Sequence, residues 1–527
     1  MGEPTRFYIT TPIYYVNDRP HIGHVFTTTL ADVAARAHRL RGEEVFFLTG
    51  TDEHASKVAD AARERGLAPL AWADENAKAF QETFAAYRIS HDDFIRTTEA
   101  RHVERVQHYT GQLLDSGDLY LGDYEGWYDP GEEEYVPDAR AQEHGYQSPI
   151  SGRPLVRRRE RNYFFRLSAY QGFLLELLER RPEFVQPDAR RNEVIGRLRQ
   201  GLLDVPASRT GGGGWGIPFP GDPEHTVYVW IDALFNYLSA VDTDERRHLW
   251  PADVHLIGKD ILWFHAVIWP AVLEALRRVP GNSWIELPRR IHAHGFWIAE
   301  GQKMSKSLGN FVDLAKLDGT IERYGLDALR WFLVTQGPLG ATDSDFAEAR
   351  FAEVYHADLA NGLGNCAARV AAMTQRYLGS HVARPGEHAA AGELERAAAE
   401  ATSRFEAALA RFALDEAARG GLELVRAVDG VIERTKPFQL AKDAARLPEV
   451  GAILYDCAEA LRVASLLLWP VLPGRIEELW ARLGATEIRD ALRARGRGRL
   501  RAWSAWGGLE PGALLASGDP LFPRRDA

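Results

Sequence analysis

The chain has 527 residues, 45% of them hydrophobic and 26% charged, a composition of the ordinary globular kind with room for several domains. It has no apolar run of about eighteen residues, and the N-terminus MGEPTRFYITT lacks a basic stretch leading into an apolar one; a cytoplasmic location is expected, with neither membrane span nor secretory signal. A net charge of −11 argues against nonspecific coating of nucleic acid but leaves a local basic face open, and two cysteines, Cys366 and Cys457, are too few for a zinc ribbon or disulfide framework.

Residues 6–13 (RFYITTPI) and 44–49 (EVFFLT) are short runs rich in β-branched and aromatic side chains, which predicts strands. Between them, apolar positions over 24–40 recur at helical spacing. This βαβ unit predicts a doubly wound parallel sheet of Rossmann type, with ligands at the carboxyl ends of its strands. The segment 118–223 differs in texture, with an acidic turn DPGEEE (129–134) and a basic run RRRER (157–161), and reads as a connective domain inserted into the sheet domain. A second α/β stretch runs from 227–235 (VYVWIDALF) through 254–258 to 291–298. Beyond about residue 350 the text becomes rich in Ala, Leu, Arg and Glu, with helical patterns such as 392–418 and 450–469, and predicts an all-α bundle. The expected organisation is an α/β catalytic domain in two halves (1–117 and 224–295) around the insert (118–223). A loop and stem-contact region (296–350), a helical domain (351–502) and a tail laid on the surface (503–527) follow.

Two motifs carry chemistry. His21 and His24 bracket Gly23 at the start of the first helix. As metal ligands they would need one or two more donors; one such histidine taken singly reads by default as helix packing. At a helix start after a strand, backbone amides and imidazole donors suit an anion instead, and a glycine lets a ligand approach the backbone. The second motif is QKMSKSLGN (302–310), a loop whose Lys303 and Lys306 are flexible point charges fit to clamp a phosphate. Alone it reads as a solvated turn.

Together, HIGH (21–24) and KMSKS (303–307) resemble the paired motifs of class I aminoacyl-tRNA synthetases. The text around them is similar to the methionyl-tRNA synthetases over nearly the whole chain: TTPIYYVN (10–17), GTDEHA (50–55), NYFFRLS (162–168), VYVWIDALFNY (227–237), GKDILWFHAVIWPA (258–271), DGTIERYGLDALRWFL (318–333) and LFPR (521–524). The resemblance implies ATP-dependent ligation of methionine to tRNA(Met) through methionyl-adenylate, with release of AMP and diphosphate. It places His21 and His24 on the ATP phosphates, Gly23 beneath adenine, Gly258 and Asp260 at the ribose, and Lys303 and Lys306 on the pyrophosphate side. It assigns methionine to Ile13, Tyr15, Asp52, Trp230, Ala233, Leu234, Tyr237, Ile261, His265 and Trp269, with Asp52 taking the ammonium; each aromatic taken singly reads as core. Arg209 corresponds to an arginine facing the active site, here followed by four glycines and Trp215. Mg²⁺ is expected with ATP, without an assignable protein ligand.

The helical domain resembles the family's anticodon-binding bundle, with Asn365 and Arg369 on one helical face and Pro437-Phe438 where relatives carry Pro-Trp. Asp429 and Val431 replace the usual Asn and Tyr. Both initiator and elongator tRNA(Met) are expected partners, and the chain is expected to be a monomer of the short form, without the C-terminal dimerisation domain. In the insert, Asp129, Glu132, Ser148 and Ser151 stand where many relatives have zinc cysteines. Two carboxylates and two hydroxyls are a poor zinc set, so no structural zinc is expected. The alternating Arg493, Arg495, Arg497, Arg499 and Arg501 form either a solvated face or a tRNA phosphate contact. Two other classes stay open: a divergent paralogue acting as a tRNA-binding or regulatory protein, and an adenylate-forming enzyme that uses no tRNA. The intact motifs weigh against the first, and Asn365/Arg369 against the second. A leucine, isoleucine or valine synthetase is disfavoured, because the chain has no room for the large editing domain of those enzymes.

Overall fold

The first strand, β1 (Arg6–Tyr15), is buried on both faces from Phe7 to Thr11, as the centre of a parallel sheet requires. The computed structural model describes residues 6–130, 134–136, 138–148, 152–210, 214–304, 309–494 and 498–525. β1 pairs in parallel with β2 (Glu44–Asp52) on one side and with Val254–Gly258 on the other. The six strands lie in the order β3 (Asp93–Arg96), β2, β1, Val254–Gly258, Ile291–His294, Val185–Gln186, all parallel. Chain order therefore reverses beside β1. The carboxyl ends of β1 and Val254–Gly258 open a crevice at that switch point.

Three differences from the sequence expectation bear on the site. β1 and β2 continue past the apolar runs at 6–13 and 44–49, because backbone pairing persists through Tyr14–Thr51 and Tyr15–Asp52 after a register shift between Thr10 and Ile13. That polar extension sets Tyr15 and Asp52 side by side. The helix expected from 24 starts at Ile22 and runs to Arg41 (α1). Val185–Gln186, inside the span 118–223, is the sixth strand of the main sheet rather than part of a separate insert; a two-residue strand leaves no periodic signal.

The rest of that span builds antiparallel sheets. Leu119–Asp129 and Val156–Phe165 form a long ladder, flanked by Glu134–Val136 and Val205–Pro206. Val136, Ala141 and Leu155 make a small apolar cluster with Trp127 packed against it. The run at 227–235 turns from strand (Asp222–Val227) to helix (Val229–Leu234).

Helices follow, the amphipathic Asn365–Leu378, Glu393–Ala410, Leu414–Thr435 and Pro473–Leu483 among them, with Leu447–Leu468 buried on all sides from Val450 on. The pattern at 392–418 is split where Phe412 takes a φ of 60°. One buried hub joins these helices to the sheet: Arg330 reaches Asp32 on α1 at 2.6 Å and the carbonyls of Pro470 and Val471 at 3.0 Å each. Burial alone would raise the Asp32 carboxyl; Arg36 and Arg330 outweigh it and hold it well below the carboxylate range. The segment from 503 is anchored more firmly than a surface tail. The amides of Gly507, Gly508 and Leu509 donate to the buried Glu459 carboxylate, and Leu515, Leu521 and Phe522 are buried. No helix among the described residues is long and apolar enough to cross a membrane.

Candidate active site

A cavity of about 640 Å³ fills the switch-point crevice. Its walls come from the end of β1 (Ile13, Tyr15), the start of α1 (His21, Gly23, His24), the end of β2 (Asp52), the Val229–Leu234 helix and the turn that follows it (Trp230, Ala233, Leu234, Tyr237), and the segment after Val254–Gly258 (Gly258, Asp260, Ile261, His265). Fourteen expected site residues thus border one space.

The two histidines do more than line it. His21 is the N-cap of α1: its Nδ1 accepts from the Gly23 amide at 3.1 Å, while His24 Nδ1 accepts from the His21 amide at 3.1 Å. This is a capping box made of imidazoles. Because Nδ1 is the acceptor in both rings, the ring hydrogen sits on Nε2. Burial, with His21 beside it, pushes His24 well below its ordinary pKa, so it is neutral at neutral pH. The rings lie 3.9 Å apart between centroids. A Cβ on Gly23 would stand 3.0 Å from His21 Cε1, so a larger residue there would press on the capping ring. At Gly258 a Cβ would come within 2.6 Å of Asp260 Oδ1.

The second motif reaches the first through the backbone. Ile22 N donates to Val312 O at 3.2 Å, His21 bridges Asp313, and Phe311 stands edge-on to His21 at 5.2 Å. Asn310 closes the base of the lysine loop on the carbonyl of Lys303 at 3.2 Å. Lys303 itself is exposed on the strand Gln302–Lys303, off the cavity wall. Lys306 lies outside the described residues.

On the opposite wall Trp230 stacks on Phe264, with centroids 3.7 Å apart, and Tyr15 stands edge-on to Trp230. His265 Nδ1 donates to the Ile261 carbonyl at 3.0 Å, which leaves Nε2 to accept from the Tyr237 hydroxyl at 2.7 Å. Burial pushes His265 down to about 4, in keeping with a neutral ring. A π-helical turn, Phe264–Ile268, puts both Phe264 and His265 on the cavity.

Two expected site residues, Trp269 of the methionine wall and the active-site arginine Arg209, lie off the cavity. Trp269 is fully buried behind Tyr237 and donates to His255 Nε2 at 3.2 Å, off the cavity wall. Arg209 is held over the rings of Tyr228 (4.6 Å) and Tyr128 (5.0 Å), and does not line the cavity. The glycine run after it, whose residues 211–213 lie outside the described residues, leads to a fixed Trp215 that donates to the Glu53 carbonyl at 2.8 Å. Sequence reasoning missed Phe264, Trp263, Asn236, Phe296, Arg19 and Lys57, all on the wall. Of these, Phe264 was open to it, as the neighbour of His265 in a stretch already singled out.

In the helical region Asn365 is exposed and Arg369 is half-buried one turn on, paired with Glu433 at 2.5 Å and Asp429 at 3.5 Å. Pro437 is buried and Phe438 exposed, while Val431 is core. Burial raises the Asp429 carboxyl in spite of Arg369. Of the arginine run, Arg493 pairs with Glu477 and Arg501 with Glu406, while Arg495 and Arg497 lie outside the described residues. Asp129 and Ser148 are buried; Glu132 and Ser151 lie outside the described residues. The described residues contain no group of three or more His, Cys, Asp or Glu able to hold a metal ion.

A parallel sheet with a switch-point cavity, histidines capping the first helix and a lysine loop tied to that cap define the catalytic architecture of a class I aminoacyl-tRNA synthetase. Residues 7–146 and 141–371 match the family model described as tRNA synthetases class I (M). A methionine–tRNA ligase of Halalkalibacterium halodurans is 39% identical over 99% of this chain and 79% of its own, and one of Streptomyces coelicolor 41% identical over 98% and 96%. Among solved structures, the Mycobacterium tuberculosis methionyl-tRNA synthetase in complex with methionyl-adenylate superposes with a TM-score of 0.89 at 36% identity, covering 99% of this chain and all of that one. The free-state form of that synthetase gives 0.84 at 34% identity, covering 100% and 99%. The chain therefore belongs to the methionine–tRNA ligase family.

Proposed function

We propose that this protein ligates methionine to tRNA(Met) in two steps, first forming methionyl-adenylate from methionine and ATP with loss of diphosphate, then passing methionine to the tRNA's terminal adenosine with loss of AMP. The observation that carries the reading is the imidazole capping box at the mouth of a cavity whose far wall is aromatic and aliphatic. One end suits phosphate, the other an unbranched thioether, which gains from sulfur–aromatic contact.

In the first step the methionine carboxylate attacks the α-phosphate in line. His21 and His24 offer Nε2–H donors where negative charge grows, and the amides at the start of α1 add to them. Gly23 lets adenine lie against the backbone, and Gly258 and Asp260 take the ribose. Lys303 and Lys306 draw off the charge of the leaving diphosphate. Asp52 holds the ammonium, while Ile13, Tyr15, Trp230, Ala233, Leu234, Tyr237, Ile261 and His265 enclose the side chain, with Trp269 supporting them from behind. Mg²⁺ bound to ATP would neutralise triphosphate charge; the described residues offer no cluster of three His, Cys, Asp or Glu for it. Arg209 acts by bracing the Tyr228 turn rather than by touching substrate. Asn365, Arg369, Pro437 and Phe438 are assigned to the anticodon of both initiator and elongator tRNA(Met), and the enzyme works as a cytoplasmic monomer.

The test is methionine-dependent exchange of diphosphate into ATP, followed by charging of the two tRNAs. Absence of exchange with any amino acid in folded protein would refute the reading; exchange without charging would favour the tRNA-independent alternative.

A further inference from the structure

Asp232 is wholly buried, and the mechanism above makes no use of it. Its two oxygens accept from different imidazoles: Oδ2 from His54 Nδ1 and Oδ1 from His102 Nε2, each at 2.7 Å. His102, in the first turn of the helix Ala100–Asp115, also meets Ser239 Oγ at 3.1 Å. Burial alone would raise the Asp232 carboxyl, but the two imidazoles outweigh it and lower it. Three pieces of chain thus meet at one carboxylate: the end of β2, the helix Ala100–Asp115 and the helix Val229–Leu234.

The first piece is rigid. Glu53, between Asp52 and His54, is fully buried; it accepts from Thr51 Oγ1 at 2.7 Å, Thr98 Oγ1 at 2.5 Å, and Arg96 at 2.7 and 3.0 Å. Its carbonyl takes the Trp215 indole N–H, and the Trp215 ring stands edge-on to His54 at 5.3 Å. The Val229–Leu234 helix is short and has no side-chain hydrogen bond at its N-cap, yet it carries Trp230, Ala233 and Leu234 on the cavity wall. A buried carboxylate stripped of a donor is costly, so its bonds hold the geometry firmly.

We propose that His54 is a positioning residue for methionine, holding the Val229–Leu234 helix, through Asp232, at a set distance from Asp52. His54 does not line the cavity, so it acts through Asp232 and not on substrate. The inference rests on the assignment of this wall to methionine. Methionine then spans the gap from Asp52, at its ammonium, to Trp230, at its thioether. A slip between the two loosens the amino acid while leaving the ATP end of the cavity, built on α1, in place.

The test is diphosphate exchange by the full chain carrying His54→Ala, His54→Asn or Trp230→Ala. Asparagine places an amide N–H near the position of imidazole Nδ1 and keeps the bond to Asp232. His54→Ala should raise KM for methionine roughly tenfold, with kcat and KM for ATP within about threefold of the parent, and His54→Asn should recover most of the loss. If His54→Ala yields no folded protein, His54→Leu takes its place with the same expectation. Unchanged KM for methionine in His54→Ala, with a rise in Trp230→Ala, overturns the proposal alone. Equal damage to kcat and both KM values, unrescued by asparagine, also overturns it, as a role in folding. No effect of Trp230→Ala refutes the wall assignment itself.

Discussion

His24 has two jobs at two nitrogens, and one pair of substitutions separates them. In His24→Asn the side-chain oxygen can stand near Nδ1 and accept the His21 amide, so the cap survives, but nothing replaces the Nε2 donor. Removing one donor from a charge-stabilising site costs about 10²–10³ in kcat, or roughly 3–4 kcal/mol. His24→Ala loses that donor and the cap as well, adding about 1 kcal/mol of helix destabilisation. It also loses the edge contacts of the ring to Tyr14 and Phe80. The two variants should therefore share one rate of adenylate formation, read in a single turnover with excess enzyme, and differ in unfolding free energy by about 1–2 kcal/mol. Adenylate formation by His24→Asn within about threefold of the parent would refute the assignment of Nε2 to phosphate.

Acid should destabilise the fold before carboxylates titrate. Burial lowers His265, His292 and His294 to about 4 each, so the unfolded chain takes up their protons first as pH falls through its own value of about 6.5. Stability present above that value is lost between the two. Going from about pH 7.5 to about pH 5.5 should cost about 1 kcal/mol per histidine, partly offset by His54, whose pKa is raised by Asp232 against burial. A urea midpoint that does not move between these pH values would contradict the neutral assignments. Phe438→Ala should raise KM for tRNA about tenfold or more by removing a stacking face, while diphosphate exchange stays as it was; equal charging by both proteins would take Phe438 out of anticodon recognition. Arg493 and Arg501 are engaged by Glu477 and Glu406. Arg493→Gln and Arg501→Gln should therefore leave the salt dependence of tRNA binding unchanged, whereas a slope shallower by about 1 per residue would place them on phosphate.

Much of this protein is written in local patterns. The helix after β1 and the bundle helices follow from periodicity and from residue types that suit one backbone conformation. HIGH, KMSKS and the text around them are short, contiguous and chemically specific, and fourteen of the residues they led to border one cavity. What the sequence left open depends on contacts between distant segments. The last residues of β1 and β2 are polar, and only their pairing with each other makes them strands. Val185–Gln186 joins the main sheet through a neighbour more than a hundred residues away, which no local signal carries. Trp269 sits behind the wall because Tyr237 and His255 pack on it, and Arg209 is held off the cavity by two tyrosines, all contacts between distant segments. Asp232 gives the same lesson at the site itself. In VYVWIDALF it is one carboxylate among apolar neighbours, and only tertiary folding brings it His54 and His102, because a buried charge takes whatever donors the packed chain delivers to it.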